Sequence, residues 1–173
     1  MRHSRHRANR GFTLIEILVV VVIIGIASAI ILPQLSSRDD LRAASAARAL
    51  MADLLYAQNR SIALQKMHYV QFDTAGNTYS VLDNMSPANI ITHPVLQAPY
   101  TVSLGTGSLS NVKLASPTFD GQTVVAFDAM GVPYSWSSGS GTTALAAGSV
   151  QIKAGKNTLT VSVAPYSGEI TVQ

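Results

Sequence analysis

The chain has 173 residues with a formal net charge of +3, 47% hydrophobic and 12% charged side chains, and no cysteine. These values fit one domain with or without an anchor, and they exclude disulfide bonds and thiolate metal sites. Four of the twelve Lys and Arg residues lie within the first ten positions, so the rest of the chain is nearly neutral. The overall positive charge therefore does not indicate nucleic-acid binding.

An apolar segment dominates the N-terminus, since residues 17–37 contain no charged side chain. As a helix these 21 residues span about 31 Å, close to the ~30 Å thickness of the hydrocarbon layer. Four arginines precede the segment, namely Arg2, Arg5, Arg7 and Arg10, against a single acid, Glu16. The charges that directly follow it cancel, at residues 38–42. The positive-inside rule then predicts a cytoplasmic N-terminus and an extracytoplasmic body.

Three interpretations of this segment are open. Ala27-Ser28-Ala29 fits the cleavage site of a secretory signal, which would give a soluble protein that starts at Ile30. An uncleaved anchor is the second interpretation, but it leaves the acid Glu16 at the start of the apolar run unexplained. The third interpretation places the cleavage before the apolar run.

The stretch "RGFTLIE", residues 10–16, resembles the processing site of type IV prepilins and type II secretion pseudopilins. The resemblance implies that a prepilin peptidase cuts after Gly11 and N-methylates Phe12, the new first residue. It also implies a role for Glu16 in assembly and a helix kink at Pro33, which matches a proline common in pilin anchors. Residues 1–11 would be the leader peptide and residues 12–35 the transmembrane helix.

The resemblance suggests why an acid is kept in the apolar run. Cleavage after Gly11 creates an ammonium group on Phe12, four residues before Glu16 and so roughly 6 Å along a helix. Because an unpaired carboxylate in lipid costs at least a few kcal/mol, the amine of a neighbouring subunit is the expected partner. In the alternative, Glu16 favours only its own helix N-terminus, which contributes under about 1 kcal/mol.

Beyond the anchor, residues 36–67 are predicted to continue the helix in amphipathic form. Apolar or small side chains recur there at steps of four and three, at Ala43, Ala47, Leu50, Leu54, Ala57, Ser61 and Leu64. From residue 68 the period changes to two, with turns predicted at 74–77, 128–131, 154–157 and 166–168. Residues 83–100 are interpreted as a long loop with one short strand, and residues 137–148 as a loop. About eight short strands after one long helix predict an α+β, pilin-like fold, with the helix packed on an antiparallel sheet or sandwich at residues 68–173.

Three later segments extend the resemblance to the GspH/FimT group of minor pseudopilins and minor pilins. They are "LLYAQNRSIALQ", "VVAFDAMGVP" and "VSVAPYSGEITV". The resemblance implies a minor pseudopilin of the H type, a subunit of the type II secretion filament in the inner membrane with a periplasmic domain. Its implied partners are prepilin peptidase, other major and minor pseudopilins, and secreted cargo. The alternative is a FimT-like type IV minor pilin in pilus biogenesis or DNA uptake. In the segments themselves, Asp128, Gly131, Pro133 and Gly168 are interpreted as turn residues.

No catalytic, cofactor or metal site is predicted. His68 and His93 have no carboxylate or serine at a spacing that predicts a triad, and both are assigned surface or loop roles. The acids lack the spacing of a calcium loop, and no ligand cluster suits zinc. Nucleic acid is not expected as a partner, because the closing segment "SGEITVQ" contains no Lys or Arg for phosphate contacts.

Overall fold

The computed structural model describes residues 12–34 and 37–173. The chain divides into two compact units, residues 1–37 and residues 38–173. In the first unit, helix α1 spans Leu14–Gln34. Its backbone includes the position of Pro33, whose side chain lies outside the described residues, so the predicted kink is not tested.

Helix α2 spans Ser37–Leu64 and forms one side of the core in the second unit. The predicted apolar stripe is confirmed from Ala43 to Ser61, where all its members are completely buried. Leu64 is the exception, with 54% of its surface exposed, because the helix ends there. Gln65 follows with φ at 50°, the left-handed conformation that terminates a helix.

Within the described residues, eleven strands form two antiparallel sheets. Their bounds are β1 His68–Asp73, β2 Thr78–Met85, β3 Ala88–Ile90, β4 Thr101–Ser103, β5 Val112–Phe119, β6 Val124–Phe127, β7 Pro133–Ser137, β8 Gly141–Ala144, β9 Gly148–Ala154, β10 Asn157–Val163 and β11 Ile170–Val172. The first sheet has the order β3-β2-β1-β6-β7-β8, with β4 paired to β2. The second has the order β11-β10-β9-β5, with a register shift between Ala115 and Thr118 of β5.

Helix α2 and both sheets share one hydrophobic core. Phe72 of the first sheet stacks on Phe119 of the second, with ring centroids 5.4 Å apart. Leu50 and Leu54 of α2 belong to the same cluster and are fully buried. The predicted α+β class, with a helix packed on antiparallel strands, is therefore confirmed.

The strand pattern was only partly predictable. The four predicted turns are all present between the strands that flank them. The prediction of a loop at 137–148 is wrong, because β8 lies within it and pairs with β7. All four residues of β8 are exposed, so they lack the alternation that reveals a strand in a sequence. The predicted loop at 83–100 does contain one short strand, β3, but its first residues belong to the end of β2.

Candidate functional site

Helix α1 begins with a reciprocal cap formed by Thr13 and Glu16. The Glu16 backbone N–H donates to Thr13 Oγ1 at 3.3 Å, and the Thr13 N–H donates to Glu16 Oε2 at 3.4 Å. This Thr-x-x-Glu arrangement is a capping box, which satisfies two backbone donors that a helix start leaves without partners. Two roles were considered for Glu16, pairing with the amine of a neighbouring subunit and stabilising its own helix N-terminus. The structure contains the second of these.

The remaining residues of the predicted processing site are placed only in part. Phe12 lies one residue before the cap and exposes 79% of its surface. Gly11 lies outside the described residues. Cleavage at Gly11, methylation at Phe12, the assembly role of Glu16 and the kink at Pro33 stay predictions.

The described part of α1 is apolar on every face. Each large apolar side chain from Leu14 to Ile26 exposes at least 46% of its surface. The hydroxyl of Ser28 donates to the Ile24 carbonyl at 2.7 Å, so this polar group is satisfied within the helix. A helix with this pattern needs apolar surroundings. Among the residues that the structure describes, no helix combines the length and the apolar character required to cross a bilayer.

In the second unit, Asp53 fastens α2 to the first sheet through two tyrosines. Its carboxylate accepts hydrogen bonds from the hydroxyls of Tyr79 at 2.5 Å and Tyr100 at 2.8 Å. Burial, followed by the negative charge of Asp53, raises the pKa of Tyr79. Burial and the hydrogen bond to Asp53 also raise the pKa of Tyr100. Both phenols therefore stay protonated donors at neutral pH, and the cluster is a structural clamp.

A second junction forms around Gln58 of α2. Its side-chain amide donates to the carbonyl of Gly131 at 2.9 Å and to that of Gly168 at 3.2 Å. Both glycines have positive φ angles, 82° and 64°. A Cβ atom on Gly168 would lie 2.4 Å from Gln58 Nε2 and 2.6 Å from the Gly131 carbonyl oxygen. Two turns can therefore approach the helix only because each has glycine at the contact.

This junction unites the three segments that carry the later part of the sequence resemblance. Gln58 lies in the helix segment, Gly131 in the strand-turn segment and Gly168 in the closing segment. The turn roles of Asp128, Gly131 and Gly168 are confirmed, and Asp128 Oδ1 accepts the N–H groups of Met130 and Val132. The turn role of Pro133 is wrong, because Pro133 is the first residue of β7 and pairs with Phe127 of β6. The sequence did not identify Gln58 as a junction residue. Its position beside the buried Leu54 and Ala57 is a signal that could have done so, because a polar side chain there needs a hydrogen-bond partner.

The prediction of a surface or loop role for His68 is wrong. His68 is the first residue of β1 and exposes only 1% of its surface. Its Nδ1 lies 2.9 Å from the Lys66 carbonyl oxygen, to which it donates, and 3.4 Å from Ser61 Oγ. The Ser61 hydroxyl donates to the Ala57 carbonyl, so this serine and histidine pair is a satisfied core contact. With both groups buried, the geometry offers no substrate access.

His93 has the loop role that the sequence predicts. Its Nδ1 accepts the N–H groups of Val95 and Leu96 at 3.1 and 3.2 Å. Its ring lies against Tyr100, with centroids 4.3 Å apart. Across the described residues, no group of three or more His, Asp or Glu side chains is placed to hold a metal ion.

Protonation of His68 is expected to weaken the fold in mild acid. Burial lowers the pKa of His68, with Arg60 adding to the effect, so the unfolded chain binds the proton more tightly than the folded chain. The free energy of unfolding should therefore fall as the pH drops below about 6.5, by up to ~1.4 kcal/mol per pH unit. Urea unfolding of the detergent-solubilised chain between pH 7.5 and 5 measures this slope. The His68→Gln variant should start less stable but lose the slope, and an unchanged slope would contradict the assignment.

The N-terminal segment matches a known family motif, and the fold has solved counterparts. Residues 6–32 match the family model of the prokaryotic N-terminal methylation motif. Over 36 residues the chain is 58% identical to the type II secretion system core protein G of Pseudomonas aeruginosa, which covers 21% of this chain and 25% of that protein. The matched stretch thus spans a quarter of the relative's length.

Two solved structures resemble the chain. The minor pseudopilin EpsH from the type 2 secretion system of Vibrio cholerae aligns with a TM-score of 0.51 and 10% identity, over 76% of this chain and 96% of EpsH. The type IV minor pilin FimU of Pseudomonas aeruginosa aligns with a TM-score of 0.48 and 16% identity, over 75% and 86% of the two chains. The alignment with EpsH shows a pilin-like fold, and the family match at residues 6–32 shows an N-terminal methylation motif, so the resemblance to pilins and pseudopilins is confirmed.

Proposed function

We propose that this chain is a minor pseudopilin, a structural subunit of the short periplasmic filament of type II secretion. The observation that carries the proposal is the presence of two features in one chain. The methylation motif covers residues 6–32, and the described fold is pilin-like and resembles that of the minor pseudopilin EpsH. Each feature serves a different step, since the motif concerns processing and anchoring while the domain supplies a surface for other subunits.

Processing comes first in this proposal. Prepilin peptidase removes residues 1–11 at the cytoplasmic face of the inner membrane and methylates the amine of Phe12. Residues 12–35 then hold the protein in the inner membrane as a single-pass anchor, because the uncharged run matches the hydrocarbon thickness. Residues 38–173 fold in the periplasm around their own core, where they contact other pseudopilins and secreted cargo.

Glu16 has two roles in the proposed filament. In the subunit by itself, the capping box with Thr13 occupies one carboxylate oxygen, Oε2. A helix cap contributes only about 1 kcal/mol. It also needs no negative charge, because the neutral side-chain oxygen of a glutamine can accept the same hydrogen bond. A formal charge at this position instead suits a pairing with the Phe12 ammonium of a neighbouring subunit, which would fix the axial stagger between subunits.

A FimT-like type IV minor pilin is the alternative. The match to core protein G favours type II secretion, although it is confined to 36 residues at the N-terminus. DNA uptake would need cations on the closing strand, and β11 with its flanks contains none. Genes for a secretion ATPase and secretin beside this one would support the first function, and genes for pilus retraction or competence would support the second.

Substitution of Gly11 by valine is expected to block processing. The peptidase must bind an extended backbone at this position, and a β-branched side chain beside the cut bond obstructs it. Mass analysis of the N-terminus in cells with a working peptidase should find methylated Phe12 in the wild type and the full-length chain in Gly11→Val. The matched control is Ala29→Val, which damages the secretory-type site and should leave the Phe12 start unchanged. A wild-type chain that starts at Ile30 would refute the proposal.

A further inference from the structure

The charges of the second unit are separated between its two ends. One end, which we name the basic pole, is the end where α2 begins. Its basic side chains are Arg38, Arg42, Lys113, Lys153 and Lys156. Its acidic side chains are Asp39, Asp40 and Asp73, so the described residues of this pole carry a surplus of two positive charges.

The position of the basic pole follows from strand register and contacts. A Cβ atom on Gly155, in the turn between β9 and β10, would lie 2.6 Å from Asp39 Oδ2. This turn therefore packs against the first turn of α2. Val112 pairs with Ala154 at the same end of the second sheet, and Asn77 joins the β1–β2 turn to it through a 3.0 Å hydrogen bond to the Val112 carbonyl.

Two lysines of the basic pole lie directly opposite each other. Lys113 of β5 and Lys153 of β9 are cross-strand partners, and both are exposed. Like charges at such positions destabilise a sheet. The four strands of this sheet contain no Asp or Glu, so no acid of these strands offsets the pair. Lys156 adds a third exposed ammonium group in the adjoining turn.

The opposite end of the unit is acidic. Among its described residues it holds two basic side chains, Arg60 and Lys66, and four acidic ones, namely Asp83, Asp120, Asp128 and Glu169. Lys66 is already paired with Asp83 at 3.2 Å. The unit is therefore electrically polar along the direction of α2, positive where the chain arrives from residue 37 and negative at the far end.

We infer that the basic pole docks on an anionic bilayer surface. The inference rests on the membrane anchor of the proposed function, because the covalent link at residues 37–38 holds this pole near any membrane that contains α1. Lysine ammonium groups bind anionic headgroups, whereas the acidic end is repelled by them. Docking sets the tilt of the domain before assembly, and a subunit that leaves the membrane for a filament must release these contacts.

Single-cysteine labelling tests the docking, since the chain has no cysteine of its own. Two separate variants each carry one fluorophore. The first is labelled at Thr158→Cys, opposite Lys153 in the sheet register, and the second at Met130→Cys, a position that is 78% exposed at the acidic end. The full chain is reconstituted in vesicles with acceptor dye on the headgroups. Energy transfer from position 158 should increase when phosphatidylcholine is partly replaced by phosphatidylglycerol, and transfer from position 130 should not increase.

Substitutions that neutralise the lysines show whether their charge causes the docking on anionic vesicles. Each Lys→Gln change at positions 113, 153 and 156 should lower the docking equilibrium constant about fivefold at low salt. The matched control replaces the same residues by Arg, which keeps the charge and should keep the docking. All three sites are exposed, so the variants should retain the circular dichroism of the wild type. High salt should weaken docking in the wild type and in the Lys→Arg variant, because the charges are then screened.

Equal energy transfer from position 158 in neutral and in anionic vesicles would overturn the inference. A triple Lys→Gln variant that docks as strongly as the wild type would overturn it too. If position 158 responds to a double-stranded oligonucleotide and not to anionic vesicles, the surface binds nucleic acid and the inference is again refuted. Failure of the chain to float with neutral vesicles would instead refute the anchor. In that case, lysine-dependent binding to anionic vesicles added from outside would still support the docking surface.

Discussion

Replacing Gly168 with alanine is expected to lower the free energy of unfolding by about 3–5 kcal/mol. Alanine at φ of 64° costs roughly 1 kcal/mol, and the rest comes from crowding. The new Cβ would lie 2.6 Å from the Gly131 carbonyl oxygen, which is backbone and cannot rotate away. The displaced turn would also break the hydrogen bonds of Gln58, which hold both turns on α2.

Gly107→Ala is the matched control for this prediction. Gly107 has a similar φ of 55°, but no atom beyond the glycine and its two chain neighbours lies within 4 Å of its Cβ position. It should therefore show the conformational cost alone, about 1 kcal/mol. Thermal and urea unfolding of both variants, followed by circular dichroism, measures the difference. Equal losses in the two variants would mean that the junction around Gln58 contributes no stability beyond ordinary backbone strain.

The Glu16→Gln variant is expected to insert in the membrane normally and to be excluded from the filament. Glutamine preserves the capping box with Thr13, since its side-chain oxygen still accepts the Thr13 N–H. It removes the charge that the proposed function pairs with the Phe12 ammonium of the next subunit. A carboxylate left without that pairing in lipid costs at least a few kcal/mol, so the pairing is strong enough to decide assembly.

Thr13→Ala provides the complementary change, because it removes the hydroxyl that accepts the Glu16 N–H and keeps the charge. It should cost the helix about 1 kcal/mol and still allow assembly. Cross-linking of the variants to other subunits, with membrane fractionation as the control for insertion, distinguishes the two. If Glu16→Gln assembles and Thr13→Ala does not, the carboxylate acts only as a cap.

Local patterns in the sequence predicted much of this fold. The apolar stripe from Ala43 to Ser61 follows from helical periodicity, and the turn at 74–77 follows from its Gly and Asn between alternating strands. Strands such as β8 escaped prediction because every side chain is exposed, so neither face shows a burial pattern. The burial of His68 depends on how the end of α2 packs on β1, a contact that no local pattern encodes.

The candidate site divides in the same way. The Thr-x-x-Glu spacing is a local signal from which the capping box could have been predicted, whereas the clamp around Asp53 joins residues 26 and 47 positions away. The partners of Gln58 are still more distant, at 73 and 110 positions. A polar residue beside a buried helical stripe indicates that a partner exists, but its identity depends on tertiary packing.

The edge strands of the two sheets affect how strongly the protein resists aggregation at high local concentration. The outer strands β3, β8 and β11 have three, four and three residues, too few to template a long ladder. The eight-residue border strand β5 is interrupted at Ser116, which has a positive φ, and Pro117. Molecules confined to the plane of a bilayer would meet edge to edge far more often than in solution. Truncated and broken borders leave such encounters without a continuous row of amide donors, which under the proposed function would protect membrane-anchored subunits from amyloid-like growth before they assemble.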